Sequence, residues 1–468
     1  MYRILLFILS IGFCQNIIFT DYFTDNTLRF DYFHSGVTDT ERVSLDELRF
    51  EGAWSGSKTN LIDDMHLGLY RFEVIDVASD QIIYAYAFAS IFGEWQTTSE
   101  AADGVWRTIH ESQRFPEPKQ PFRLALKKRN PDGTYKTIYN AEHDPASRFV
   151  NRSSVANNDK VWRIFNNGLA ENKVDILILG DGYHKEDAKQ FKIDAKHLIS
   201  VMFNTEPFKS RKSDFNVWAV DVFSEDIGIS NPRQNVWKKS ALDLRFNSFD
   251  SDRYVLTFAN KKIREIAAQA PYDAIMIIFN DPKYGGGGIY NLWSTVSALS
   301  NEADYVFVHE FGHSFAGLWD EYYTSDTAYE ISLPKFEPNQ PNVTALFDPE
   351  KLKWKHLVEE NIPIPTYWDQ SDYDNIANKY SQNRKNMVDE GASVKEMEGL
   401  TDEFKKSTIS ILKSQKYYGE VGAFEGAGYL AKGLYRPEVD CIMFSRNRSE
   451  FCKVCSEAIE NMIDWYVK

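Results

Sequence analysis

The stretch "VHEFGHSFAGLWDEYY", starting at Val308, carries the residue types and spacing with the clearest chemistry in the chain. His309 and His313 are four apart, Glu310 stands beside the first, and Asp320 and Glu321 follow just after Gly317. A helix advances about 100° per residue, so positions four apart share a face. Two imidazoles one turn apart can bind a single zinc ion at about 2.0–2.1 Å. A neighbouring carboxylate can take a proton from a water that such an ion acidifies, then hand it to a leaving amine. The pattern implies metal-assisted hydrolysis with Glu310 as general base.

Two histidines and one carboxylate leave a fourth position open, as a catalytic zinc requires. Gly317 can take the left-handed conformation that stops a helix, which lets the chain swing back and makes Asp320 the first candidate for third ligand. Glu321 or a distant residue are the alternatives. Whichever of Asp320 and Glu321 does not ligate is expected to orient a ligand histidine through its second ring nitrogen.

This site needs a helix over Tyr305–Ala316. On it Phe307, Val308, Phe311 and Phe315 form an apolar stripe for the core, opposite the histidines, with small Gly312 and Ala316 at their flanks. Upstream, "VDILILGDGY", "FNVWAVDVF" and "YDAIMIIFN" read as buried strands separated by helical segments. That rhythm predicts a mainly parallel sheet with helices on its faces. "DGYHKED" reads as a turn and helix start. Residues 325–400, polar and rich in Pro and Asn, read as a long connection with a few short helices. Before residue 150, short β-type runs and a hairpin turning at "NPDG" predict an antiparallel sandwich. The expected class is α+β: a signal peptide over 1–14, a β-sandwich domain over 15–150, a linker over 151–170 ("NRSSVANNDK" included), and a catalytic domain over 171–468.

With 468 residues, 43% of them hydrophobic, the chain can bury a large core. A net charge of −15 repels phosphate backbones, so nucleic acid is excluded as a partner. The N-terminal "MYRILLFILSIGFCQN" has one Arg and an apolar run of secretory length, too short to span a membrane. The expectation is an exported protein, secreted, periplasmic or at the cell surface, with no membrane span once the signal is removed. Cys14 would leave with it. In an oxidising compartment Cys441, Cys452 and Cys455 are expected to form one disulfide, Cys441 with Cys452 or Cys455, leaving one thiol. The "CKVC" pair lacks a second pair, which argues against a four-cysteine zinc site.

"HEFGHSFAGLWDEY", together with "VGAFEGAGYLAKGLYRP", "DCIM" and "FCKVC", resembles the bacterial IgA-peptidase family of zinc metallopeptidases. "LRFDYFHSG" is similar to the N-terminal domain that precedes the catalytic one in many members. The resemblance implies a metzincin-like fold, one catalytic zinc, a protein or peptide substrate, and Met443 as the Met-turn residue beneath the metal. In such folds the strand before the active-site helix borders the cleft, the place occupied here by "GGIYNLWSTVSA". It also puts "FEGAGYLAKGLYRP" near the cleft, with Tyr435 or Arg436 as candidate stabilisers of an oxyanion. The usual metzincin spacing has its glycine and third ligand one residue earlier than Gly317 and Asp320. The family label names no substrate for this chain. Two other readings compete: a binding or adhesion protein with a vestigial zinc domain, and a zinc amidase acting on cell-wall or glycan-linked amides. An intact Glu310 argues against the first. Oligomeric state is left open.

Overall fold

The computed structural model describes residues 17–154, 159–324, 333–447 and 450–467; the segment read as a signal peptide lies outside them. The fold is α+β. Among the described residues, no helix is long and apolar enough to cross a membrane.

Two four-stranded sheets form the N-terminal part. One runs in the order Arg107–Pro118, Phe23–Gly36, Glu41–Ala53, Val150–Asn151; the other Ile82–Phe88, Tyr70–Asp76, Phe122–Arg129, Tyr135–His143. All pairings are antiparallel except the short one between Leu48–Arg49 and Val150–Asn151. The central strands are buried over long runs, and aromatic side chains from both sheets meet between them. Phe72 lies 5.5 Å from Phe115 and 6.4 Å from Phe30, ring centre to ring centre. Such rings contribute about 1.5–3 kcal/mol each on burial. The turn at Asn130–Thr134 closes the hairpin read from "NPDG", with Gly133 at φ 85°.

A six-stranded sheet forms the base of the second part, in the order Gly286–Ile289, Trp293–Ser297, Ala274–Phe279, Val174–Asp181, Phe215–Asp221, Lys160–Phe165. The inner pairings are parallel and both edge strands are antiparallel. Two sequence readings need correcting. The stretch taken as linker contributes the edge strand Lys160–Phe165, whose mixed polar pattern reflects an edge with one covered face. The region from 325 to 400 is more helical than expected: Ser371–Asp389 and Val394–Lys413 are long helices, the second opened by a Ser393/Glu396 capping box. Each buries only a few side chains, so their apolar periodicity is faint in the sequence.

The N-terminal sheets do not hang apart from the rest. Ile91, Phe92 and Trp95, on a short helix capped by Ser90, share a core with Leu177, Trp218 and Ile277 of the large sheet. The Ala89 N–H donates to the Tyr290 carbonyl at 2.9 Å, and Asn291 donates back to Ala87.

The run of four glycines has a packing explanation. A Cβ on Gly285, Gly286, Gly287 or Gly288 would come within 2.7 Å of Phe246, the Thr295 carbonyl, Tyr254 or the Glu310 carbonyl, respectively. Side chains are excluded on both faces, which lets this edge strand lie directly on the active-site helix. Gly288→Ala places a Cβ 2.4 Å from the Glu310 carbonyl oxygen and 3.0 Å from the His313 Cβ. It should therefore destabilise the protein by about 1–3 kcal/mol. Thermal unfolding reads this directly, and an unchanged midpoint would mean the strand has room to spare.

Candidate active site

The helix Ala303–Ala316 presents Phe307, Val308, Phe311 and Phe315 to the core, all nearly fully buried. It ends at Gly317, whose φ of 61° is the left-handed stop read from the sequence. The Gly317 N–H donates to the His313 carbonyl and the Leu318 N–H to that of Gly312, after which the chain reverses. That reversal brings Asp320 back over the helix. Asp320 Oδ1 lies 3.1 Å from His309 Nε2 and 3.2 Å from His313 Nε2, and the two Nε2 atoms are 3.1 Å apart.

Those three atoms form a nearly equilateral triangle. A tetrahedral ion with bonds of about 2.0–2.1 Å has ligand-to-ligand edges of about 3.3–3.4 Å, so the triangle has the size of one face of such a shell. Imidazole with carboxylate is also a donor set that suits zinc. His309, His313 and Asp320 are thus placed to hold one metal ion.

The outer ring nitrogens explain the aim of the inner ones. His309 Nδ1 lies 3.0 Å from the Ile442 carbonyl oxygen and 3.1 Å from the Tyr305 hydroxyl; His313 Nδ1 lies 2.6 Å from the Leu318 carbonyl oxygen. A carbonyl only accepts, so each Nδ1 keeps its proton and each Nε2 turns a lone pair inward. This corrects the role expected of Glu321. It orients neither histidine; its side chain points away, into a cluster of cysteines.

Charge at the triangle is strongly coupled. Burial would push the Asp320 carboxyl up, yet His313 and His309 hold it well below the usual carboxylate range. Burial would lower His313, but facing Asp320 pushes it up to about 9. The three donors favour a positive charge among them. Glu310, lining the cleft beside them, is pushed up by burial and pulled back in part by the histidines, leaving it a better proton acceptor than an exposed glutamate.

Tyr429 completes the site, and sequence reasoning missed it. Strands Phe424–Ala427 and Leu430–Arg436 are joined by the two-residue turn Gly428–Tyr429, both with positive φ. The Gly428 N–H donates to the Asp320 carbonyl and the Tyr429 N–H to that of Tyr322, each at 3.0 Å. Thus docked, the Tyr429 hydroxyl donates to Asp320 Oδ2. Left-handed backbone is unusual for a bulky residue, and such positions cluster at functional sites. The signal was the Gly-Tyr pair between two β-type runs.

The residues chosen instead lie elsewhere. Tyr435 pairs through its backbone with Thr344 and does not line the cleft. Arg436 is fully buried, donates to the carbonyls of Glu425, Gly426 and Val439, and lies against the rings of Trp368 and Phe444. It staples the hairpin and cannot reach an oxyanion. Met443 is buried against the helix, its sulfur 3.2 Å from where a Gly312 Cβ would be. The expected disulfide is absent: Cys441, Cys452 and Cys455 are free and buried, with the Sγ atoms of Cys441 and Cys455 3.9 Å apart. A disulfide needs about 2.05 Å.

The cleft over these groups has a volume of about 620 Å³. One wall comes from the helix and the glycine strand, another from Tyr322, Tyr429 and Arg253, and a third from Gly68, Ser90, Glu94 and Arg129 of the N-terminal part.

Comparison with family models agrees with this layout. The model described as IgA Peptidase M64 matches residues 163–463, and that described as Peptidase M64 N-terminus matches residues 18–140. The chain belongs to the IgA peptidase M64 family. A search of curated proteins finds no match. Membership of a peptidase family implies a protein substrate, and residues of both matched regions line the cleft.

Loss of the hydroxyl that holds Asp320 should loosen the donor triangle. Tyr429→Phe is expected to lower metal affinity or turnover about 10- to 100-fold, the usual effect of removing a ligand's supporting partner. Competition against a chromophoric chelator measures the first and peptide cleavage the second. Wild-type values in both would remove Tyr429 from the site.

Proposed function

We propose that this M64 peptidase is an exported, zinc-dependent endopeptidase with a metzincin-like catalytic domain. The observation that carries the reading is the triangle of His309 Nε2, His313 Nε2 and Asp320 Oδ1 at the floor of an open cleft, with Glu310 beside it. His309, His313 and Asp320 would hold the zinc, which when bound supplies Lewis acidity, polarising the scissile carbonyl and acidifying water.

The chain's own groups do the rest. Glu310 accepts the proton of the attacking water and delivers it to the amide nitrogen that departs. The carbonyls of Ile442 and Leu318 keep the imidazoles in the tautomer that aims Nε2 into the cleft. Tyr429 fixes the carboxylate of Asp320 by donating its hydroxyl to Oδ2. Met443 supports the floor against Gly312, as a Met-turn residue would. The glycine strand is an edge strand beside Glu310; Gly286 already bonds Arg253 and Val255 on its outer side, and an extended substrate would pair through its backbone with the rest of that edge, a binding mode that supports cleavage within a chain. Export rests on the apolar N-terminal segment of the sequence.

The deciding experiment exposes a diverse mixture of peptides and proteins to wild type and to Glu310→Gln, with cleavage read by mass spectrometry. Glu310→Gln should retain metal and fold but lose turnover by several orders of magnitude, since the general base is gone. Chelation should abolish wild-type cleavage and added zinc restore it. Equal cutting by the two proteins would end the mechanism.

A further inference from the structure

Next to the catalytic triangle lies a second set of metal-type donors that the reaction does not use. Cys441, Cys452, Cys455 and Glu321 are all buried, and their ligand atoms lie within 4.8 Å of one another. We propose that these four residues form a closed structural site for a second thiophilic divalent ion, zinc in the first instance.

The spacing of the donors fits an ion better than a disulfide. With Zn–S bonds of about 2.3 Å, two thiolates of a tetrahedral site stand about 3.8 Å apart. Cys441 Sγ and Cys455 Sγ are 3.9 Å apart. Glu321 Oε1 lies 3.2 Å from Cys455 Sγ, as if the thiol proton marked the line along which an ion would join them.

Backbone donors reach two of the three sulfurs, most of all Cys441. The Met443 and Cys452 N–H groups donate to Cys441 Sγ at 3.5 and 3.2 Å, and the Cys455 N–H donates to Cys452 Sγ at 3.4 Å. Backbone donors around sulfur favour its charged form.

An independent observation points the same way. Glu321 is wholly buried, and although Asn342 donates to its Oε1, its Oε2 has no hydrogen-bond partner. A buried carboxylate oxygen without a hydrogen-bond partner is costly, and the charge of a cation bound at the same carboxylate would offset that cost. Four protein donors leave no open coordination position, so the site is structural by the rule that separates closed from catalytic zinc.

Its position gives the ion a purpose. Glu321 follows the ligand Asp320, Cys441 precedes Ile442 and Met443, and Cys452 and Cys455 open the C-terminal helix Lys453–Val467. One ion would tie together the three segments on which the catalytic triangle rests. Binding exchanges the thiol protons for the metal, so uptake weakens as pH falls.

The test counts metal and thiols in the purified full-length protein carrying Cys14→Ser, so that only the three clustered cysteines can react. Elemental analysis should find two zinc ions per chain in wild type and one in His313→Ala, which removes a catalytic ligand only. Under denaturing, non-reducing conditions with chelator, three thiols should react. Cobalt(II) loaded into His313→Ala should show the near-ultraviolet charge-transfer absorption of thiolate ligation. One metal in wild type with none in His313→Ala overturns the proposal, as does a single reactive thiol, which would report a disulfide. If the catalytic reading alone were wrong, the metal of wild type would persist unchanged in His313→Ala. Loss of that metal in Cys455→Ser, with the protein still folded by circular dichroism, would then keep the second site standing.

Discussion

The hydrogen bond between His309 Nδ1 and the carbonyl of Ile442 joins two segments more than a hundred residues apart. It sets the imidazole's tautomer, and it requires the 441–444 turn to sit tight beneath the active-site helix. That fit is tight at Gly312, where a Cβ would lie 3.1 Å from the Phe451 ring and 3.2 Å from the Met443 sulfur. One further contact follows from the same docking. The Glu321 N–H donates to the Met443 carbonyl, and this anchors the loop that returns Asp320 to the histidines. The catalytic geometry is therefore a property of how a helix, a turn and a loop are clamped, more than of the helix itself.

Close approach is the recurring device. The glycine strand lies on one side of the helix without side chains, and the turn at Met443 lies below it. On the far side of the cleft, the Gly428–Tyr429 turn reaches over Asp320. Each contact removes atoms where a cleft must stay open and backbone must meet backbone. Arg436 serves the same end from the interior. Its guanidinium, packed against the rings of Trp368 and Phe444, satisfies the carbonyls of Glu425, Gly426 and Val439.

The N-terminal sheets belong to this design. Their core merges with that of the large sheet through Phe92 and Trp95, and loops at one end of them form a wall of the cleft. A substrate lying in the cleft would touch both parts of the chain. The cleft is thus lined by two regions that the sequence reading had separated.

Much of the site was legible in the sequence because its logic is local. A four-residue spacing on a helix puts two imidazoles together whatever the rest does, and a glycine at the helix end permits the return of Asp320. The strands of the large sheet were equally plain, since buried parallel strands are continuous apolar runs. What the tertiary structure alone decided were choices between chemically equal candidates. Asp320 and Glu321 are adjacent carboxylates, and only the direction of the loop sends one to the histidines and the other to the cysteines. Tyr429 and Tyr435 are tyrosines of one hairpin, and only the docking of its turn selects the first. The cysteines read as a disulfide with one thiol left over because their fourth companion, Glu321, lies far away in sequence. Spacing along a chain determines what shares a helix face; it carries no record of which distant segments will pack there.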